Sequence, residues 1–147
     1  MFENRLKFVR ERRGIKQLEV AKFLNISKST YSNYENENYV IPLKHLINFS
    51  NFINVSIDYL FGFTQSIQYN DVLKFDIQKC SLRLREFREK LKLSQETLAR
   101  IMREHRTNIS GYELGNQLIS TALLYELCKK YNISADYLLD KIDKIPN

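Results

Sequence analysis

One feature limits the possible folds of this chain more than any other: most of it is written twice. Displaced by 78 residues, the sequence aligns with itself without a gap, residues 5–62 over residues 83–140. The identities include Arg5/Arg83, Leu6/Leu84, Arg10/Arg88, Glu11/Glu89, Gln17/Gln95 and Ala21/Ala99. They continue through Ser32/Ser110, Tyr34/Tyr112, Glu35/Glu113, Asn38/Asn116 and Leu46/Leu124. The run Asn54-Val55-Ser56-Ile57-Asp58-Tyr59-Leu60 returns as Asn132-Ile133-Ser134-Ala135-Asp136-Tyr137-Leu138. A repeat of this length implies that each copy is one structural unit. The expected organisation is two small domains, residues 1–63 and 83–147, joined by a linker over 64–82.

Within a copy the apolar spacing is helical. Leu6 and Val9, followed by Arg10 to Arg13, suit a first helix, with Asn4 as candidate N-cap and Gly14 as its stop. Leu18, Val20, Ala21, Phe23 and Leu24 suit a second, broken by Asn25-Ile26-Ser27. Ser27 can cap a third, which runs through Tyr31 and Tyr34. Pro42 suits the first turn of a fourth, which buries Leu43, Leu46, Ile47 and Phe49 or Ile53. Ser56 caps a short fifth helix with Tyr59, Leu60 and Phe61. Ser94, Ser120 and Ser134 play the capping part in the second copy. With only four glycines and two prolines, the expectation is an all-α chain of two tandem five-helix units. The linker is ambiguous: Leu73, Phe75 and Ile77 alternate like a strand, whereas Val72, Leu73, Asp76, Ile77 and Cys80 suit a helix.

The formal net charge is +6, and each copy carries half of it. That surplus suits a polyanionic partner without specifying one. Cys80 and Cys128 form neither a CxxC nor a Cys/His cluster, and His45 and His105 are isolated, so no metal or cofactor is expected. Unpaired thiols of this kind fit a reduced, cytoplasmic protein. No apolar run approaches a membrane span, and the first residues carry charge where a signal peptide needs apolar ones. A glycine-rich phosphate loop, a nucleophile set and a carboxylate pair for acid–base work are all missing from the sequence, which argues against an enzyme. Most of the 18 Phe and Tyr residues are accounted for as core.

The residues from Ile15 to Ser27 resemble the second helix and turn of Cro/repressor-like (phage-repressor, XRE-type) helix-turn-helix proteins. Those from Lys28 to Asn36 resemble their recognition helix, and Val55-Ser56-Ile57-Asp58-Tyr59-Leu60 resembles their closing helix. The resemblance covers both copies. It implies sequence-specific binding of double-stranded DNA, with the third helix in the major groove, and a role in transcription regulation. It further implies base reading by Lys28, Ser29 and Asn33, with Thr30 a weaker candidate. Phosphate contacts fall to Gln17 and Lys16 at the start of the second helix, and to Asn36 and Asn38 after the third. The family's helix 1–helix 3 ion pair maps to Arg10 and Glu35, repeated as Arg88 and Glu113, a structural role rather than a reading one. The alternative is an interaction module or antitoxin-like partner on the same fold, with the second copy serving a homodimer or a partner protein.

The copies are not equivalent. At the turn, Arg103 replaces Asn25, Glu104 replaces Ile26 and His105 replaces the capping Ser27. Gly111 stands in the second recognition helix at the place of Asn33, at a cost of about 1 kcal/mol relative to alanine. Gln95, Arg106, Thr107 and Asn108 remain candidates for DNA contact.

Overall fold

The computed structural model describes residues 5–67, 75–143 and 145. The chain divides into two compact units, Met1–Leu73 and Lys74–Asn147. Among the described residues all regular structure is helical. The first unit holds α1 (Leu6–Arg12), α2 (Gln17–Leu24), α3 (Lys28–Glu35), α4 (Leu43–Ile53) and α5 (Ile57–Leu60). The second holds α6 (Ile77–Lys90), α7 (Gln95–Met102), α8 (Arg106–Leu114), α9 (Thr121–Tyr131) and α10 (Ala135–Leu138).

Local chemistry sets the boundaries. Ser27 Oγ accepts from the Thr30 amide at 3.0 Å, and Ser56 Oγ from the Tyr59 amide at 3.1 Å. Ser94, Ser120 and Ser134 accept in the same way from Thr97, Leu123 and Tyr137. Each bond satisfies one of the amides that a helix start leaves unpaired. Pro42 is the N-cap itself rather than a residue of the first turn; lacking an N–H, it leaves no donor to satisfy there. Asn4, expected to cap α1, lies outside the described residues, and Arg5 holds the N-cap position without a side-chain capping bond. Asn25, with φ 58°, ends α2 in the left-handed conformation, and Arg103, with φ 56°, ends α7 likewise. Asparagine tolerates that conformation; arginine adopts it at a cost.

The ambiguous stretch resolves toward helix at its end. Asp76 Oδ1 accepts from the Gln78 amide at 2.9 Å and starts α6 at Ile77, inside the segment read as linker. α6 therefore has 14 residues against seven in α1. Its first turns bury Cys80 and Ser81, in line with Leu84 at helical spacing. Burial pushes the Cys80 thiol up to about 12, and nearby Asp140 adds to the shift.

The two cores share a plan but not a filling. In the first, Tyr31 and Phe49 are fully buried and stack with centroids 6.2 Å apart. In the second, the repeat partners are Ile109 and Leu127, smaller residues. They line an apolar cavity of about 20 Å³ together with Leu84, Phe87, Leu98 and Leu123.

An arginine closes each unit. Arg5 lies over the Tyr59 ring at 4.4 Å and donates through Nη1 to the Thr64 carbonyl at 3.0 Å. Arg83 lies over Tyr137 at 4.4 Å and donates to the Ile142 carbonyl at 2.6 Å. It also pairs with Asp140 at 2.9 Å. Asp140 takes the position of Gly62, and both have positive φ.

Candidate nucleic-acid interface

Helical spacing gives α3 two faces. Tyr31, Tyr34 and Glu35 are buried. On the other side Lys28 and Ser29 are exposed, and Thr30, Ser32 and Asn33 are half-buried. Polar groups at the ends of the helix organise this outer face. Ser27 Oγ donates to Thr30 Oγ1 at 2.8 Å, which draws Thr30 into the cap. Asn38 Nδ2 donates to Asn33 Oδ1 at 3.1 Å, and the Asn38 amide donates to the Asn33 carbonyl at 3.0 Å. Asn38 thus fixes which way the Asn33 amide points. Asn36 Nδ2 reaches Ser32 Oγ at 3.4 Å.

The buried side of α3 is tied to two other helices. Arg10 on α1 donates through Nε and Nη2 to the two carboxylate oxygens of Glu35, the second bond measuring 3.1 Å. Its Nη1 donates to the Ile15 carbonyl at 2.8 Å. Gln17 Nε2, on the first turn of α2, donates to Glu35 Oε2 at 2.8 Å. Burial pushes the Glu35 carboxyl up, but the hydrogen bonds from Arg10 and Gln17 outweigh it and hold the group below its ordinary value. The hydrogen bond to Glu35 likewise raises Arg10. The second copy repeats the arrangement. Arg88 forks onto Glu113 at 2.7 and 2.9 Å, and Gln95 Nε2 reaches Glu113 Oε1 at 3.2 Å.

Sequence reasoning gave Gln17 to phosphate and named Gln95 as a candidate for DNA contact, and did not foresee that each serves the ion pair. The available signal was that the glutamine, the arginine and the glutamate all recur together. Lys16, the N-cap of α2, is exposed, and its backbone amide donates to Glu19 Oε1 at 3.3 Å. In the second copy Arg106 and Thr107 are exposed. Asn108 is turned aside instead: its Nδ2 donates to Glu104 Oε1 at 2.7 Å. The same oxygen accepts from the His105 amide at 3.0 Å, so Glu104 takes over part of the capping that His105 does not provide. Among the described residues no group of three or more His, Cys, Asp or Glu side chains is placed to hold a metal ion. None of the described helices is long and apolar enough to cross a membrane.

The helix-turn-helix family model matches residues 6–60 and again residues 84–138. The chain belongs to that family, in its XRE-type, phage-repressor-like form, and carries the unit twice. Among curated proteins it is similar to the HTH-type transcriptional regulator ImmR of Bacillus subtilis (strain 168), 43% identical over 58 residues. Those residues are 40% of this chain and 46% of that protein, so the chain spans a little under half the length of this relative. No solved structure matches.

Proposed function

We propose that the chain is a sequence-specific, double-stranded DNA-binding transcriptional regulator that lays α3 in the major groove. One observation carries this reading. The polar ridge of Lys28, Ser29 and Asn33 stands on a helix whose opposite face is fixed by Tyr31, Tyr34 and the Arg10–Glu35–Gln17 network. A ridge so anchored meets base edges without first losing conformational freedom. Lys28 donates to guanine O6 and N7. Asn33 gives one lone pair of Oδ1 to Asn38 and keeps the other, together with both Nδ2 protons, enough for the two bonds to an adenine edge. Lys16, the first-turn amides of α2 and the second Nε2 proton of Gln17 take a phosphate, and Asn36 and Asn38 take another. Lysine and arginine side chains displace counterions and supply the part of the affinity that ignores sequence. Such a regulator works beside the chromosome, in the cytoplasm.

The test is selection of genomic fragments by the purified protein, then titration of the recovered site. Asn33→Ala is expected to cost about 1–3 kcal/mol on that site and little on random duplex. Equal losses on both remove Asn33 from the readers, and failure to enrich any fragment overturns the proposal.

A second reading, a protein-interaction module, draws on one observation of its own. Phe23 is 52% exposed and stacks on Phe52 at 4.4 Å, an apolar outer surface suited to a protein partner or a second copy. Concentration-dependent association that Phe23→Ser abolishes, with no duplex affinity at low salt, would favour it.

A further inference from the structure

The second recognition helix has no side chain where the first has Asn33, because Gly111 stands there. The space is nevertheless filled. A Cβ built on Gly111 would lie 2.7 Å from Nε2 of Gln117 and 3.2 Å from its Cδ and Cγ. Gly115, with φ 76°, caps α8 in the left-handed conformation. The Asn116 amide then donates back to the Gly111 carbonyl at 3.0 Å. This return path lays the Gln117 side chain over the bare backbone of Gly111. Gln117 is exposed, and no hydrogen bond to a described residue occupies its amide. Gly111 itself lies within α8 without a positive φ, so the backbone does not require glycine. A Cβ there would instead meet the Gln117 side chain.

We propose that Gln117 is the base-reading amide of the second copy, delivered from the turn after α8 to the position that Asn33 fills from within α3. This rests on the DNA-binding reading and extends it: the second copy also reads sequence. A glutamine amide offers one acceptor and two donors, the set that matches the N6 and N7 edge of adenine. Gly111, which it overlies, follows Thr107 by about one turn of α8, and Arg106 and Thr107 are the exposed counterparts of Lys28 and Ser29. Any side chain at position 111 pushes the flexible end of Gln117 aside, since 2.7 Å is closer than real Cβ contacts come.

The experiment selects binding sites for the full chain from a random-sequence duplex pool, then repeats the selection with Gln117→Ala and with Gly111→Ala. Both variants are expected to lose preference at one shared base pair, by roughly tenfold. That base pair should differ from the one lost in Asn33→Ala, and affinity for random duplex should not change. Gly111→Ala is the sharper arm, because alanine favours the helix. A purely structural glycine therefore predicts an equally or more stable protein with unchanged preference. A parent chain that selects no sequence overturns this inference together with the DNA-binding reading. A parent that selects a site which Gln117→Ala leaves unchanged overturns this inference alone. So does a loss seen in Gln117→Ala that Gly111→Ala does not share.

Discussion

Replacing Glu35 by glutamine tests how α3 is held. The Glu35 side chain is 1% exposed and that of Arg10 is 10% exposed, and the carboxylate receives two bonds from Arg10 and one from Gln17. Glu35→Gln keeps the volume and removes the charge. Arg10 is left partly buried with the Ile15 carbonyl and a single neutral amide oxygen as acceptors in this network, and the other side of the new amide turns a donor toward donors. Breaking a buried pair costs roughly 3–5 kcal/mol. The retained carbonyl bond and the residual exposure of Arg10 place this case at the lower end, about 3 kcal/mol. In the second unit Arg88 and Glu113 are 13% and 5% exposed, so Glu113→Gln should cost less, about 2 kcal/mol.

Urea unfolding, followed by far-UV circular dichroism and tyrosine fluorescence, measures both. The chain has two units, so each variant should shift the transition of its own unit. Acid provides a control. The folded carboxyl of Glu35 sits below its ordinary 4.5. Its stabilisation is therefore complete above that value and is lost as the pH falls through the folded one. The parent should lose this component below about pH 4.5, and Glu35→Gln should not. A loss under about 1 kcal/mol, or identical acid dependence in the two proteins, would refute the claim that the pair anchors the recognition helix.

Three further outcomes are expected. Arg103→Gly relieves a left-handed arginine and should stabilise the second unit by about 1 kcal/mol; an unchanged melting temperature would show that Arg103 is held by contacts worth as much as the strain. Leu127→Phe restores the aromatic of the first core beside the small cavity and should stabilise by about 1 kcal/mol, whereas a lower melting temperature would mean that the void is too tight for a ring. Lys28→Ala should lower affinity for the selected site about tenfold and relax its preference at one base pair; fluorescence anisotropy on the selected site and on single-base variants reads both, and an unaltered preference removes Lys28 from the readers.

Most of the helical frame was legible because its signals are local. Ser27, Ser56, Ser94, Ser120 and Ser134 announce helix starts with side chains that bond three residues ahead, and the apolar period marks the buried faces. The start of α6 was not legible. Two periods overlap around Phe75 and Ile77, and the choice between them is made by the Asp76 cap together with the burial of Cys80 and Ser81. The ion pairs were readable from the family resemblance, with Arg88 and Glu113 repeating Arg10 and Glu35, but the attachment of Gln17 was not. That bond depends on the free lone pair that Arg10 leaves on Glu35. Gln117 was missed for a related reason: its place follows from what Gly111 lacks, and an empty position has no periodicity.

The arginine clasps have one more consequence. Because Arg5 grips the Thr64 carbonyl and Arg83 that of Ile142, each clasp ties the start of a repeat to its end, although the second module's first helix already begins at Ile77. Modules of that build can be multiplied by gene duplication without rewiring their interiors. Each repeat can then be filled in its own way, one with an aromatic stack and the other with aliphatic packing.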